Sequence, residues 1–230
     1  MNRVRGDMEL RNFGGAPAAR EKMPRTVHRR ALIVAVVLTW AWLGGCVSAT
    51  RPAKYYQLTV PTDVGFVEKA DAVPVRLLVG NLMTSHLYRE DRIVYGNGPE
   101  QLGTYEYQRW AEPPTEMIQE VLLRELRATG HYRAVQVRRS NMPGDFAIRG
   151  HLYDFKEVDG QSTSTRVTLE LEMRDLKTGA TVWSHYYTHD EPASGKDVPE
   201  IVAALDKNVQ QCVKEVVESL DQYFGAHPAK

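Results

Sequence analysis

Between Arg166 and Arg174, apolar and polar side chains alternate without a break. Successive side chains of a strand point to opposite faces, so this period predicts a strand with one buried face and one wet face. The turn residues Asp175–Gly179 follow, and Thr181–Thr188 is predicted to return as the partner strand. A half-buried hairpin of this kind is typical of an antiparallel sheet, and its apolar face needs a covering layer.

A long helical pattern near the end of the chain supplies that layer. Apolar residues recur at helical spacing through Val198–Phe224, and Asp197 with Glu200 resembles a capping box at the start. At 1.5 Å per residue, such a helix is about 40 Å long, which is enough to cover a whole sheet. Cys212 lies inside the apolar stripe, so we expect a packed thiol there.

Other segments complete the predicted domain. A second helix is expected to begin at Pro113-Pro114 and to end at Gly130, because proline suits the first turn and glycine suits the end of a helix. In the predicted strand Phe146–Val158, the alternation of apolar and polar side chains shifts after Leu152, which predicts a bulge. The remaining predicted strands are Lys54–Val60, Val73–Val79, Asp91–Tyr95, Gly103–Gln108, Ala134–Arg138 and Phe146–Val158. The predicted fold class is α+β, with two layers: a mainly antiparallel sheet and two helices packed on one face.

The N-terminal region has the plan of an export signal. A basic cluster, Arg25–Arg30, precedes the thirteen-residue apolar run Ala31–Leu43. A transmembrane helix needs about 20 apolar residues, so this run is too short to span a bilayer. Residues 1–45 are therefore predicted to be a signal peptide. A start at Met23 would give a signal of usual length, and both Met1 and Met23 stay open as the start.

The residues that close this signal match a lipidation site. Leu43-Gly44-Gly45-Cys46 fits the bacterial lipobox Leu-x-Gly/Ala-Cys. The thiol of Cys46 is expected to accept diacylglycerol before cleavage frees its amine. Two or more acyl chains, with palmitate as the expected type, would hold the protein durably on a membrane. The alternatives are an uncleaved anchor helix and an ordinary secretory signal.

The predicted lipidated tether comprises residues 46–53, and residues 54–230 are predicted to form one domain. Nine residues from Cys46 to Lys54 span at most about 30 Å, so the domain is expected to stay close to its membrane. Val47-Ser48 follow the cysteine without an Asp at the second position. The resemblance to sorted lipoproteins then implies the outer membrane, with the domain facing the periplasm.

Composition and charge exclude several classes of protein. Of the 230 residues, 43% are hydrophobic and 25% are charged, which excludes a wholly disordered chain, a collagen-like fibre and a polytopic membrane protein. Lys+Arg and Asp+Glu both number 29. Eight of the bases and three of the acids lie in residues 1–45, which leaves 21 bases and 26 acids beyond them, a balance of −5. No basic excess therefore points to a nucleic-acid partner.

The sequence contains no complete motif for catalysis or metal binding. His185 and His189 lie in a predicted strand, where four residues span about 13 Å, too far for two ligands of one zinc ion. Gly195-Lys196 lacks the other residues of a phosphate loop, and neither Gly-x-Ser-x-Gly nor His-Glu-x-x-His occurs. The sequence therefore predicts no enzyme activity, no cofactor and no metal site.

Two blocks of sequence resemble a known family. Tyr55-Tyr56-Gln57-Leu58 follows the lipobox closely. Arg92-Ile93-Val94-Tyr95 precedes a hairpin turn, and Tyr105-Glu106-Tyr107-Gln108-Arg109-Trp110-Ala111-Glu112-Pro113-Pro114 then leads into the helix. Over most of residues 54–224, the chain is similar to the ABC-type transport auxiliary lipoproteins, the PqiC/YmbA-like family.

That resemblance implies a non-enzymatic subunit. Its implied partners are an MCE-domain protein and an ABC transporter, in a system that moves phospholipids between the two membranes of Gram-negative bacteria. The lipoprotein is expected to dock the periplasmic MCE assembly at the outer membrane, while ATP hydrolysis elsewhere supplies the energy. By analogy with ring-forming MCE proteins, a homo-oligomer is a further expectation.

Aromatic residues concentrate around the predicted hairpin, and aromatic and arginine side chains favour interfaces. The expected partner-binding residues are Tyr95, Tyr105, Tyr107, Arg109 and Trp110. Structural alternatives remain: Trp110 would fill the gap between hairpin and helix, while Arg109 would pair with Glu112 or a partner acid, or cap local carbonyls.

Two other functions stay in view. One is an outer-membrane lipoprotein of the binding type, such as an envelope-integrity or assembly factor that shares the fold. The other is a periplasmic hydrolase whose site is assembled from scattered residues, which would require a pocket where ionisable groups with perturbed pKa values converge.

Overall fold

The computed structural model describes residues 51–62, 69, 72–96, 100–139, 142–160 and 162–228. The predicted signal peptide, the predicted lipidation site Cys46 and tether residues 47–50 lie outside the described residues, as do residues 97–99 of the hairpin loop. Within the described part of the chain, no helix combines the length and the hydropathy that crossing a membrane requires.

The described residues contain eight strands, a short 3-10 helix at His86–Arg89 and two α-helices. The strands are β1 (Lys54–Tyr56), β2 (Val73–Thr84), β3 (Arg92–Gly96), β4 (Leu102–Trp110), β5 (Tyr132–Val137), β6 (Phe146–Val158), β7 (Ser164–Asp175) and β8 (Thr181–Pro192). The helices are α1 (Pro114–Thr129), between β4 and β5, and α2 (Val198–Ala226), after β8.

Strand β6 organises the sheet. One of its edges pairs antiparallel with β7, which in turn pairs antiparallel with β8. The other edge pairs parallel with β2 along its first half and with β3 along its last three residues. Beyond these, β5 extends β2 in parallel, β4 pairs antiparallel with β3, and β1 runs parallel to β4. The longest ladders are antiparallel, so the sheet is mixed but mainly antiparallel.

Both helices pack on one face of this sheet, and the predicted α+β class is confirmed. Helix α1 covers β2 and β5, helix α2 covers β6, β7 and β8, and the helices contact each other. Their apolar stripes meet the inward side chains of the strands in one continuous core. Cys212 is buried in that core, as its place in the stripe predicts, and burial raises the pKa of its thiol.

Local signals in the sequence match the structure closely. The capping box of α2 forms between Asp197 and Glu200. Helix α1 ends at Gly130, whose φ of 64° is a left-handed conformation that glycine adopts without strain. The register of the β6–β7 ladder shifts between Leu152 and Asp154, where a bulge was predicted.

The first strand is shorter than predicted. Lys54–Val60 was expected to be extended, but β1 ends at Tyr56 because the chain then turns to bury Leu58. The backbone of Thr59 is held by α2 instead of by a neighbouring strand. Its amide donates to Asp206 Oδ1 at 2.8 Å, and its carbonyl accepts from Gln210 Nε2 at 2.8 Å.

Candidate functional site

Two tyrosines form an edge-to-face aromatic pair on the β3–β4 hairpin. Tyr95 of β3 lies beside Glu157 of β6 in the parallel ladder, and Tyr105 comes from β4. Their rings meet edge to face, with centroids 5.0 Å apart and an interplanar angle of 61°. Tyr95 remains 39% exposed. The pair therefore presents an aromatic ring to solvent on a rigid strand.

A buried carboxylate holds this pair in place. The Tyr105 hydroxyl donates to Glu157 Oε2 at 2.7 Å. Burial raises the pKa of Glu157, although the hydrogen bond from Tyr105 opposes the rise. Burial and the same hydrogen bond raise the pKa of Tyr105, so its phenol stays protonated and keeps donating. Glu157 of β6 therefore fixes the orientation of the Tyr95–Tyr105 pair through its hydrogen bond with Tyr105.

Glu157 makes a testable contribution to the pH dependence of stability. An acid whose pKa is raised by folding stabilises the protein fully below its unfolded pKa, and this contribution is lost as pH rises through the folded pKa. We therefore expect Glu157→Gln to be more stable than the wild type at pH 7. The advantage should disappear as pH falls to the reference value of 4.5. Urea unfolding of both proteins across this window measures the difference.

Glu172→Gln is the matched control, because Glu172 lies on the wet face and pairs with Arg149 at 3.0 Å. Replacing Glu172 removes only a surface ion pair, which contributes about 0–1 kcal/mol, so this variant should not gain stability as pH rises. If Glu157→Gln instead becomes less stable than the wild type as pH rises from 4.5 to 7, folding stabilises the ionised carboxylate. That result would contradict the raised pKa of Glu157.

The other predicted site residues are divided between surface and core. Tyr107 is 37% exposed. Arg109 Nη1 pairs with Oδ1 of Asp91, the residue before β3, at 2.8 Å; Glu112 was one of the alternatives that the sequence left open. Ladder pairing of β3 with β4 makes this pair possible, because it brings Arg109 beside Arg92, the residue after Asp91.

Trp110 is 0% exposed, so no partner can touch its side chain while the fold is intact. Its ring packs on Phe155 with centroids 5.3 Å apart. The expectation that it binds a partner directly is corrected to a structural role. The sequence alternative placed the ring between the hairpin and the helix, and in the structure it packs against β6 in the core.

A second exposed surface went unpredicted. Met83 of β2, Tyr153 of β6 and Tyr186 of β8 are exposed large hydrophobic residues, and we call them the open-face patch. Ladder registers join Met83 to His151, His151 to Glu170 and Glu170 to Tyr186, which places this row on one face of the sheet. The Tyr153 hydroxyl donates to Glu170 Oε2 at 2.8 Å.

A polar cleft of about 830 Å³ opens at the start of α1. Its charged lining residues are Arg89, Glu112, Glu116, Glu120 and Arg124. Arg124 forms an ion pair with Glu120 and also donates to the Pro61 carbonyl at 3.3 Å. No His, Cys or Ser is among the described residues that line it.

The two histidines considered as metal ligands both lie within strand β8, which continues to Pro192, past its predicted end at Thr188. His185 stacks on Trp183 with centroids 6.0 Å apart, and His189 Nε2 lies 3.5 Å from Glu191 Oε2. Within the described ranges, no three His, Cys, Asp or Glu side chains are grouped so that they could hold a metal ion.

Solved structures share this fold. Protein XCC0632 from Xanthomonas campestris, whose family model is DUF330, is similar with a TM-score of 0.62 at 21% identity, over 74% of this chain and 98% of that one. An uncharacterized protein matches with a TM-score of 0.59 at 13% identity, over 74% and 99%. The PelC dodecamer from Paraburkholderia phytofirmans matches with a TM-score of only 0.39 at 14% identity, over 63% and 92%, too low to bear on assembly.

No curated protein matches the chain. The family model described as the ABC-type transport auxiliary lipoprotein component matches residues 56–217, which is more than half of the sequence. The match runs from β1 through both hairpins and most of α2. That family groups transport lipoproteins and is not a class of enzymes. The chain therefore belongs to the ABC-type transport auxiliary lipoprotein family.

Proposed function

We propose that this lipoprotein is the outer-membrane component of an intermembrane phospholipid transport system, where it docks a periplasmic MCE assembly. The family match over residues 56–217 carries the proposal, because it assigns the domain to ABC-type transport. The protein acts as an adaptor without chemistry of its own. The hairpin and the segment Arg109–Pro113 resemble the family's sequences, and this resemblance is the reason for proposing an MCE-domain partner and a phospholipid cargo.

The anchor is the acylated thiol of Cys46. The lipobox Leu43-Gly44-Gly45-Cys46 provides the small residues and the nucleophile that lipidation requires, and membership of a lipoprotein family supports that use. Each buried CH₂ contributes about 0.8 kcal/mol, so two or three chains make attachment durable. With Val47-Ser48 after Cys46 and no Asp at the second position, the outer membrane is the proposed destination.

The docking surface for the MCE-domain protein is the Tyr95–Tyr105 pair with the neighbouring Leu102. Tyr95 and Leu102 are exposed on the same hairpin, and Tyr105 is fixed by Glu157. Binding costs less entropy when the contacting ring is already ordered, and tyrosines are frequent hot spots of interfaces. This surface can therefore bind without rearranging the domain.

Crosslinking in intact cells, followed by purification of the lipoprotein, tests the docking. We expect the wild type to recover an MCE-domain protein and Tyr95→Ala to lose at least tenfold of it, because truncating a hot spot costs about 2 kcal/mol or more. The matched control is Tyr186→Ala, which removes an exposed tyrosine from the open-face patch and should recover the partner normally.

Other outcomes discriminate among the alternatives. Loss with Tyr186→Ala and not with Tyr95→Ala would move the docking surface to the open-face patch. Recovery of other envelope machinery, without any MCE-domain protein, would contradict the transport role. That result would favour the second function, an envelope-integrity or assembly lipoprotein that shares the fold.

A further inference from the structure

Four residues lie at the β1 edge of the sheet, where the chain enters the domain. Tyr55 and Tyr107 are on one face of the sheet, Lys54 is at the rim of the other face, and Arg51 precedes the strand; we call this edge the entry face. Tyr55 lies in β1, and β1 runs parallel to β4, with Lys54 beside Gln108. A hydrogen bond to Glu106 raises the pKa of Tyr107, and nearby Arg51 opposes that rise. The register sets β1 against the last three residues of β4, and the effect of Arg51 on Tyr107 places Arg51 near the same end of that strand.

The entry face is exposed and combines rings with positive charge. Tyr55 is 63% exposed, more than any tyrosine of the hairpin, and Tyr107 is also exposed. Arg51 and Lys54 are exposed as well, and neither forms an ion pair with another described residue. Tyrosine rings with a polar tip, flanked by basic side chains, suit the headgroup layer of a bilayer.

Neighbouring acids only partly offset this charge. Ladder pairing places Arg109 beside Tyr55, and Arg109 is already paired with Asp91. Glu106 is the acid that raises the pKa of Tyr107 by hydrogen bonding and by its charge. Arg51 and Lys54 thus have no acidic partner within the described part of the chain, and an anionic group such as a lipid phosphate suits their charge.

The length of the chain before Arg51 decides how close this face lies to the anchor. Only five residue steps separate Cys46 from Arg51, which span at most about 18 Å when fully extended. Strand β1 lies at one edge of the sheet, and β8 lies five strands away in the order β1-β4-β3-β6-β7-β8. At about 4.8 Å per step, β8 is some 24 Å farther along the sheet.

We propose that the entry face rests on the phospholipid surface that holds the anchor, with the rings of Tyr55 and Tyr107 in the headgroup layer. This inference rests on the proposed acylation of Cys46. It assigns Tyr107, which the sequence predicted to bind a protein partner, to the membrane instead. It also fixes the orientation of the domain, because the β1 edge lies at the bilayer and the β8 edge points into the periplasm.

Nitroxide labels on the full-length lipoprotein test the contact. Cys212 is buried and Cys46 is acylated, so a label reacts selectively with a new cysteine at Tyr55→Cys or, as the control, at Tyr186→Cys. The two original side chains are similarly exposed, at 63% and 61%. The proteins are reconstituted in vesicles of phosphatidylethanolamine and phosphatidylglycerol that carry a nickel-chelating lipid, and spin relaxation is recorded.

The headgroup-bound nickel is expected to enhance relaxation several-fold more at position 55 than at position 186. If the enhancement is equal at positions 55 and 186 while the protein still floats with its vesicles, the membrane contact of the entry face is wrong and the acyl anchor stands. Spin–spin broadening between labels at position 55, without nickel enhancement, would assign the face to a second copy. Failure to float with vesicles would overturn the acyl anchor and the entry face together.

Discussion

Trp110→Ala is expected to lower the free energy of unfolding by about 3–5 kcal/mol, the usual cost of deleting a large buried aromatic ring. The side chain is fully buried and packs on Phe155 of β6, and it lies only a few residues before the first turn of α1. Its removal leaves a cavity where β4 of the hairpin packs against β6. Guanidinium unfolding in detergent, followed by far-ultraviolet circular dichroism, measures the change.

Trp110→Phe provides the internal comparison. The indole N–H finds no acceptor among the described residues, so replacing it with a phenyl ring breaks no hydrogen bond. We expect this variant to lose less than half as much stability as Trp110→Ala. Equal losses in the two variants, or a loss below about 1 kcal/mol for alanine, would contradict the structural role assigned to this ring.

Asn208→Asp is expected to cost at least about 3 kcal/mol at pH 7, since it buries a charge and orphans buried hydrogen-bonding groups. Asn208 is fully buried in α2. Its amide Nδ2 donates to the carbonyls of Thr165, at 3.3 Å, and His189, at 3.0 Å. Its Oδ1 accepts from the Tyr187 hydroxyl at 2.8 Å. An ionised Asp has no hydrogen to donate, and its oxygens face those two carbonyls.

Gln211→Glu is the control, because it makes the same change from amide to acid at an exposed position of the same helix. Gln211 donates to Glu215 at 2.9 Å, and the new like-charge pair should cost about 0.5 kcal/mol or less. Similar losses from both substitutions would show that Asn208 does not clamp α2 to β7 and β8. Recovery of Asn208→Asp at acidic pH, where the carboxyl regains a proton, would support the assignment.

The local elements of this fold follow from periodicity. The alternation of Arg166–Arg174 predicts β7 because each residue of a half-buried strand reports its own face. The capping box at Asp197 predicts the start of α2 because its partners are only three residues apart. Signals of this kind need no knowledge of distant segments, so sequence alone carries them.

The pairing of distant strands does not leave such a signal. The parallel ladders of β6 with β2 and β3 join residues about 60 to 70 positions apart, and no local period records which edge is used. Strands β2 and β3 pair with the same edge of β6 and are separated by the short helix His86–Arg89. The sequence showed them only as two unrelated strands. Tertiary packing also overrode the propensity of Lys54–Val60, where burial of Leu58 ended the strand.

The candidate surfaces show the same division. The tyrosines of the hairpin could be named from sequence because they crowd into one segment, although their exposure could not: Trp110 belongs to the core and Tyr95 to the surface. The open-face patch was missed because Met83, Tyr153 and Tyr186 come from three separate strands. A single exposed apolar residue is ordinary, and only the sheet brings these together.

The proposed adaptor role depends on an acyl anchor at Cys46, and the mass of the native protein tests that anchor most directly. The lipoprotein is purified from outer-membrane fractions without proteolysis, and its intact mass and N-terminal peptide are recorded by mass spectrometry. The account predicts a chain that begins at Cys46 and carries the added mass of two or three acyl chains on that residue. A chain that retains residues 1–45 and an unmodified Cys46 thiol would contradict it.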